Sequence, residues 1–287
     1  MSTTFIKRKS LVIRESNRST DYISPSFAFG CGFNCTYCYM KRHKAEGIDI
    51  ATNTEEILTA IDHHAWFSTV EKPNQTHEEF VTYDIGCNFD LALHAKHIDW
   101  EKIFTFFRDH PRAMGSFATK YVNRELLKFN PRGKIRIRFS IIPPTLRRHI
   151  EPNTSYITER LEAIQEFIGA GYDVHINFSP VVVFEDWLKQ YRSLFYVINH
   201  DIDDLNKDKI KAEVIFLTHN KGKHVYNLME KLPGEDFLWR PDIQEDKVSE
   251  FGGTNLRYKH DLKAQYIKEW KEIHDQVIPW NTIRYIF

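Results

Sequence analysis

Three of the four cysteines lie within eight residues of one another and form the strongest chemical signal in the sequence. Cys31, Cys35 and Cys38 have the spacing C-x3-C-x2-C and directly follow a predicted strand. Three thiolates on one short loop bind three irons of an iron–sulfur cubane and leave the fourth iron without a protein ligand. An iron with an open position binds and activates a small molecule. The spacing therefore predicts a catalytic [4Fe–4S] cluster.

A structural metal site is the alternative interpretation of these cysteines. Structural zinc takes four protein ligands, and electron-carrying clusters ordinarily have four cysteines. Cys87 or His43 would have to supply the fourth ligand. Four cysteines in 287 residues are too few for the disulfide framework of a small secreted protein, so the clustering indicates a metal.

Six β-rich runs alternate with helical patterns and would position this loop. The predicted strands are residues 24–30, 79–86, 116–121, 134–142, 173–183 and 212–218, and the clearest helical patterns are 53–64, 157–171 and 184–198. Alternation of this kind favours a parallel sheet with helical crossovers.

One face of several predicted strands is repeatedly polar. In residues 134–140 the two-residue period places Lys134, Arg136, Arg138 and Ser140 opposite Ile135, Ile137 and Phe139. Buried charges need partners, so we expect these polar groups to line the inside of a curved sheet and to contact a polar ligand. A flat antiparallel sheet with one solvated face is the alternative.

Composition excludes several classes of function. The chain has 39 basic and 39 acidic residues and no net charge, so any nucleic-acid contact must be a local patch. No apolar run is long enough to span a membrane, and the first residues lack the pattern of a secretory signal. We therefore expect a cytoplasmic protein without a membrane partner.

The cysteine loop resembles the signature of the radical S-adenosylmethionine enzymes. The resemblance implies that a reduced cluster cleaves S-adenosylmethionine and that the resulting 5'-deoxyadenosyl radical abstracts a hydrogen atom from substrate. It also implies an α/β fold, a partial (β/α)6 barrel of the radical SAM type, with a C-terminal helical or hairpin extension. The expected boundaries are an N-terminal segment 1–23, the barrel 24–235 and the extension 236–287.

Beyond the loop, the chain resembles the spore photoproduct lyase family over roughly residues 8–287. The matching positions are residues 35–39, Cys87, Asp90, 119–121, Arg136, 138–140, Glu151, Pro152, Thr154, Ser155, Arg160, 170–172, Trp187, Tyr191, Arg192, Arg257 and Tyr258. The resemblance implies a lyase that repairs a methylene-bridged thymine dimer in DNA. A related radical enzyme acting on a peptide or another non-DNA substrate is the alternative, and a non-enzymatic metal-binding protein is a third hypothesis.

The resemblance also implies roles for residues outside the cluster loop. Cys87 would donate a hydrogen atom to the product radical, and Tyr37 and Tyr39 would help to return the radical to the cofactor. A small buried apolar residue is the alternative for Cys87, and packing around the cluster is the alternative for the tyrosines.

Three further residues are expected to bind S-adenosylmethionine by the same resemblance. Asp84 would bind the methionine ammonium group, and Lys120 and Ser140 would lie on the carboxylate and ribose side. The alternatives are that Asp84 pairs with Arg136 or Arg138 and that Lys120 is solvated.

Arg257, Tyr258 and Lys259 are the candidate DNA contacts, with cations for phosphates and a ring for stacking. The chain departs from the family directly afterwards, because residues 260–264 begin a helical pattern where the family has an aromatic-rich hairpin. A solvated turn is the alternative. An electron donor such as flavodoxin or ferredoxin is also expected, and the sequence does not predict the oligomeric state.

Overall fold

The structure is a computed structural model that describes residues 2–16, 21–40, 44, 46–68, 77–248 and 253–287. His43, the alternative metal ligand, lies outside these residues. The strands are β1 (Thr3–Ile6), β2 (Tyr22–Ile23), β3 (Ala28–Phe29), β4 (Ile48–Ala51), β5 (Val81–Asp84), β6 (Ala113–Thr119), β7 (Ile135–Ser140), β8 (Asp173–Val181), β9 (Ala212–Phe216), β10 (Thr218–His219), β11 (Gln244–Val248), β12 (Thr254–Tyr258) and β13 (Ile283–Ile286).

Helices connect most of these strands. They are α1 (Thr54–Phe67), α2 (Leu91–His94), α3 (Trp100–Asp109), α4 (Pro144–Ile150), α5 (Ile157–Gly169), α6 (Trp187–Asp201), α7 (Asp204–Lys207), α8 (Lys221–Met229), α9 (Glu235–Leu238) and α10 (His260–Val277), with short 3-10 turns at Ala95–His97 and Arg124–Lys128. Within the described ranges, no helix is long and apolar enough to cross a membrane.

The main sheet has the strand order β13-β9-β8-β7-β6-β5-β2, and two three-stranded sheets have the orders β1-β4-β3 and β10-β12-β11. The pairs β2/β5, β5/β6, β6/β7, β8/β9 and β9/β13 are all parallel. The prediction of a parallel sheet with helical crossovers is confirmed, and the flat antiparallel alternative is wrong for this sheet.

Contacts divide the chain into two units whose segments interleave along the sequence. The first comprises Met1–Gly32, Lys44–Phe139 and Ala163–His175, and the second comprises Phe33–His43, Ser140–Glu162 and Ile176–Phe287. The boundaries expected at residues 23/24 and 235/236 remain a prediction.

The first unit is held together by aromatic side chains between helix α3 and its strands. Asp99 caps α3 by accepting a hydrogen bond from the Lys102 amide. The helix then buries Phe104 and Phe107, and the ring centroids of Phe104 and Phe117 lie 6.0 Å apart. Truncating such a buried ring to alanine costs about 3–5 kcal/mol.

The second unit is organised around the fully buried Trp270 of α10. Its ring packs edge-on against Phe178 of β8 and Phe195 of α6 at 5.2 and 5.1 Å, and it stacks on His274 at 5.1 Å. Helix α10 begins at His260, so the prediction that the residues after Lys259 start a helix is confirmed.

Two details of the predicted strands are wrong. The first predicted strand, residues 24–30, is not continuous: Tyr22–Ile23 joins the main sheet, whereas Ala28–Phe29 pairs with β4. The sequence analysis also missed β13, which pairs with β9 as a parallel strand. Residues 283–286 are a short apolar run at the end of the chain, and no following turn or helix marks them as a strand.

Candidate active site

Gly30 introduces the cysteine loop in a left-handed conformation, with φ of +105°. Its amide donates to the carbonyl oxygen of Asn88 at 3.1 Å. A Cβ at this position would lie 2.7 Å from the carbonyl oxygen of Gly47. A side chain would therefore be both strained and obstructed, and glycine is required where the chain leaves β3.

The three loop cysteines form no disulfide bond. Cys35 is buried, whereas Cys31 and Cys38 are partly exposed. The Cys38 amide donates to the Cys35 carbonyl oxygen at 3.1 Å, which closes a tight turn between these two residues. Three cysteines outside disulfides on one short segment fit a cluster bound through three cysteines.

The middle of the loop is anchored within the second unit. The Thr36 amide donates to the carbonyl oxygen of Ile150 at 3.0 Å, and the Thr36 carbonyl oxygen accepts a 2.8 Å hydrogen bond from the Asn227 side chain. The backbone between Cys35 and Cys38 is therefore fixed on both its donor and its acceptor side.

Tyr37 and Tyr39 occupy different environments, although the sequence analysis treated them alike. The Tyr37 hydroxyl donates to Glu151 Oε1 at 2.5 Å. Burial, and after it the charge of Glu151, raises the pKa of Tyr37 well above its usual value. Tyr39 is 44% exposed, so it is the more solvent-accessible of the two tyrosines.

Glu151 is fully buried and forms an ion pair with the equally buried Arg160, with Nη2 and Oε2 3.0 Å apart. Arg160 also donates to the carbonyl oxygen of Ser140 at 2.6 Å and to Thr154 Oγ1 at 2.7 Å. The cysteine loop and the end of β7 are thus connected by successive polar contacts, from Tyr37 to Glu151, then to Arg160, and then to the carbonyl oxygen of Ser140. The sequence analysis named Glu151 and Arg160 only as matching positions, because spacing gives no sign that distant residues form a buried pair.

Asp84, at the end of β5, pairs with Arg138 of β7. Its Oδ2 lies 2.8 Å from Arg138 Nη2, and its Oδ1 accepts from the Gly86 amide at 2.9 Å. The alternative that Asp84 pairs with an arginine is therefore observed. The carboxylate keeps 17% of its side-chain surface exposed, so contact with a ligand remains sterically possible.

The polar face of β7 is buried and supplied with partners from the first unit. Arg136 Nε lies 2.6 Å from Asp173 Oδ2, and Arg136 Nη1 lies 4.0 Å from Asp21 Oδ1. His175 Nε2 lies 3.1 Å from Asp173 Oδ1. The expectation that these charged groups face the interior is confirmed. Their partners, however, are the carboxylates of Asp173 and Asp21, whereas the sequence led us to expect a polar ligand.

Asp90 joins the turn after β5 to the end of β6. Its carboxylate accepts from the Lys120 amide and from Thr119 Oγ1, both at 2.8 Å. Burial raises the pKa of Asp90 even though these hydrogen bonds act in the opposite direction. Cys87, in the same turn, is partly exposed and forms no disulfide bond. The structure thus links the Cys87 turn to Lys120.

Ser140 is fully buried at the end of β7. Its hydroxyl accepts a long, 3.4 Å hydrogen bond from the Asn177 side chain, and its carbonyl oxygen is held by Arg160. Its role on the ribose side of S-adenosylmethionine remains a prediction.

The three candidate DNA contacts are not equivalent. Tyr258 is buried, and its hydroxyl accepts a 2.8 Å hydrogen bond from the Val183 amide. Arg257 is partly exposed and Lys259 is exposed, and Lys259 Nζ donates to the Asp242 carbonyl oxygen at 2.7 Å. The two cations therefore remain candidates for phosphate contact, whereas the burial of Tyr258 does not support base stacking.

The chain is similar to known proteins of one family. The model of the spore photoproduct lyase family matches residues 2–287. Spore photoproduct lyase of Bacillus subtilis (strain 168) is 29% identical over 229 residues, which cover 78% of this chain and 64% of that protein. The Clostridium acetobutylicum spore photoproduct lyase is 26% identical over 287 residues, covering 97% of this chain and 80% of that protein.

A solved structure of a variant spore photoproduct lyase with bound AdoMet and dinucleoside spore photoproduct matches with a TM-score of 0.86 at 20% identity. The match covers 99% of this chain and 82% of that chain. It confirms the expected fold class, a partial barrel with a parallel sheet.

Proposed function

This chain belongs to the spore photoproduct lyase family, and we propose that it is a radical S-adenosylmethionine lyase that splits the spore photoproduct in DNA. The observation that carries the proposal is the C-x3-C-x2-C loop, whose cysteines form no disulfide, in a chain that the family model matches over residues 2–287. The solved relative that binds AdoMet and the dinucleoside photoproduct supports both the cofactor and the substrate class.

Cys31, Cys35 and Cys38 would hold a [4Fe–4S] cluster. When bound, the cluster supplies one electron for the cleavage of S-adenosylmethionine, which gives the 5'-deoxyadenosyl radical that removes a hydrogen atom from the substrate. The protein's part is to hold the backbone that carries the thiols. The hydrogen bonds of the Thr36 amide and the Thr36 carbonyl oxygen do so between Cys35 and Cys38.

Asp84, Lys120 and Ser140 are the proposed S-adenosylmethionine contacts. Asp84 would bind the methionine ammonium group while Arg138 holds its second oxygen, because a carboxylate accepts several hydrogen bonds at once. Lys120 would pair with the methionine carboxylate, and Asp90 fixes the backbone of Lys120. Ser140 is fully buried. Its hydroxyl would therefore have to move slightly to contact the ribose side of the cofactor.

Cys87 is the proposed hydrogen-atom donor to the product radical. Its S–H bond breaks homolytically as a C–H bond forms on the released thymine, which leaves a thiyl radical on Cys87. The partly exposed thiol is accessible for this step, in contrast to the buried apolar residue of the alternative interpretation.

Tyr37 and Tyr39 would carry the radical from Cys87 back to the cofactor. A neutral tyrosyl radical forms only when the phenol loses its proton together with an electron. Glu151 Oε1, which already accepts the Tyr37 hydrogen bond, is the group that would receive the Tyr37 proton, while the Tyr37 electron would pass to the Cys87 thiyl radical and convert it to the thiolate. The more exposed Tyr39 would instead give a whole hydrogen atom to the thiyl radical and restore the Cys87 thiol.

DNA is the proposed macromolecular partner, in the cytoplasm and with a flavodoxin or ferredoxin as electron donor. Arg257 and Lys259 would contact phosphates, which fix a protein on DNA without reading sequence. Because the chain has no net charge, we expect binding to depend on few phosphates and therefore to respond weakly to salt.

One observation favours the second candidate, a radical enzyme of the same lineage with a non-DNA substrate. Tyr258 is buried and helix α10 begins at His260, in the region where the resemblance to the family implies an aromatic-rich hairpin.

The test is anaerobic incubation of the reduced protein and S-adenosylmethionine with a synthetic dinucleotide spore photoproduct, followed by mass measurement of released thymidine nucleotides. The proposal expects restored thymines and S-adenosylmethionine cleavage together. Cleavage of S-adenosylmethionine with an unchanged photoproduct would instead select the second candidate.

A further inference from the structure

Three potential metal ligands converge in the second unit, at residues distinct from the cysteine loop. His219, His224 and Glu235 each offer one ligand atom, and these atoms lie within 4.8 Å of one another. His219 ends β10, His224 lies in α8 and Glu235 begins α9. His219 Nε2 and His224 Nδ1 lie 2.9 and 2.5 Å from the same carboxylate oxygen, Glu235 Oε1.

Neighbouring side chains hold two of the three groups, Glu235 and His224, in place. The Asn227 side chain donates to Glu235 Oε2, which leaves Oε1 to face the two imidazoles. The indole of Trp239 stacks on His224 at 3.9 Å with an interplanar angle of 12°. Outer groups that fix ligand orientation in this way are typical of metal sites.

The charge at this cluster suits a cation. Glu235 supplies a carboxylate oxygen that faces both imidazoles. His219 is buried and Glu235 nearly so, whereas His224 keeps 20% of its side-chain surface exposed, which leaves a path for an ion.

Protein groups alone leave this cluster incompletely satisfied. Two imidazole nitrogens converge on a single oxygen, Glu235 Oε1, and a cation between the three groups would bind all of them at once. His219 Nδ1 and Asn227 Oδ1 are buried and make no hydrogen bond, and a water beside the cluster would satisfy these two atoms, which are not ligands.

We propose that His219 Nε2, His224 Nδ1 and Glu235 Oε1 bind a zinc ion, with water as the fourth ligand. Two histidines and a glutamate are an established zinc ligand set that keeps one position open. Calcium and magnesium prefer oxygen ligands, which argues against them. Both ligating nitrogens must be unprotonated, so zinc affinity falls as the pH is lowered.

This zinc site would buttress the cysteine loop. Asn227 uses one amide group for two contacts, the Glu235 carboxylate and the Thr36 carbonyl oxygen between Cys35 and Cys38. Fixing Glu235 on a metal ion therefore fixes Asn227, and through it the loop backbone. Zinc in this position would act on the loop through these contacts, and its binding does not depend on the substrate of the enzyme.

The test counts zinc and iron per chain in protein purified without oxygen, and then titrates Zn²⁺ into metal-depleted and untreated samples. We expect one zinc per chain in the wild type and in the control variant His200→Gln, whose side chain is 88% exposed. His224→Gln should bind Zn²⁺ at least ~100-fold more weakly. Equal zinc affinity in wild type and His224→Gln, or iron at this site, would overturn the proposal.

X-ray absorption spectroscopy of the bound zinc needs only wild-type protein. Its result is therefore unaffected if the His224→Gln variant fails to fold. Nitrogen and oxygen neighbours at about 2.0–2.2 Å support the site, whereas sulfur neighbours at about 2.3 Å would place the zinc on the cysteine loop and refute it. Neither experiment measures photoproduct cleavage. A failure of the zinc proposal can therefore be distinguished from a failure of the proposed lyase activity.

Discussion

The hydroxyl of Tyr37 donates a 2.5 Å hydrogen bond to Glu151, a carboxylate with no exposed surface. Arg160 neutralises this carboxylate at 3.0 Å from the other side. The tyrosine next to two of the cluster cysteines is therefore held by an ion pair from outside the loop. This relationship gives Glu151 two functions, which are the stability of the second unit and the proton position of Tyr37.

Glu151→Gln should lower the free energy of unfolding by about 3–5 kcal/mol, because it leaves Arg160 as a buried charge without its partner. Denaturant unfolding under anaerobic conditions measures this change. The matched control is Glu166→Gln, which removes the exposed partner of Arg124 and should cost less than about 1 kcal/mol. Equal effects in the two variants would contradict the account of a buried pair.

Tyr37→Phe and Tyr39→Phe should each retain iron but slow turnover of the photoproduct, since each removes a phenol from the proposed relay. Only Tyr37→Phe should also lower stability, by about 1–3 kcal/mol, because it leaves a buried acceptor on Glu151 short of a donor. Turnover number and denaturant midpoint are the two measurements. Wild-type turnover in both variants would remove the tyrosines from the mechanism.

Cys87→Ala should keep both the iron and the cleavage of S-adenosylmethionine. The substrate radical then lacks its hydrogen-atom donor, so most product should appear as adducts or by-products in place of restored thymines. Mass analysis of the dinucleotide products distinguishes these outcomes. Loss of iron from this variant would instead make Cys87 a cluster ligand.

Stability should fall when the pH is lowered from about 6.5 to 4, because the buried His94 resists protonation. Burial, with smaller contributions from His97 and Lys96, lowers its pKa to about 4 in the folded chain. The unfolded chain takes up a proton near pH 6.5 and the folded chain only near pH 4, so protons favour unfolding between these values. His94→Asn should flatten this part of the stability profile, whereas the exposed His200→Asn should not. An unchanged profile in His94→Asn would contradict this assignment.

The sequence predicted the features that depend on local spacing. The cysteine loop, the alternation of strands and helices and the polar face of β7 all follow from residue types at fixed intervals. The pairing of Asp84 with Arg138 was one of the alternatives read from the sequence. The partner of Arg136 did not follow, because Asp173 is distant in sequence and becomes a neighbour only in the folded sheet. Spacing likewise gives no sign that Glu151 and Arg160 form a buried ion pair, so their roles were not predicted.

Position in sequence also did not reveal the different environments of individual tyrosines. Tyr37 and Tyr39 are two residues apart, yet one is held by a buried carboxylate and the other is exposed. Tyr258 satisfies a pattern for DNA contact, but strand β12 turns its ring into the core, where it meets Phe216 at 6.2 Å. Burial is a property of the assembled unit, and a dipeptide does not reveal it.

Iron content and S-adenosylmethionine cleavage, measured together on protein purified without oxygen, test the central claim most directly. The account predicts about four irons per chain bound as one cubane, cofactor cleavage on reduction, and loss of both in Cys31→Ala, Cys35→Ala and Cys38→Ala. A wild-type protein without a cubane, or a cubane whose fourth iron is bound by a side chain, would contradict it.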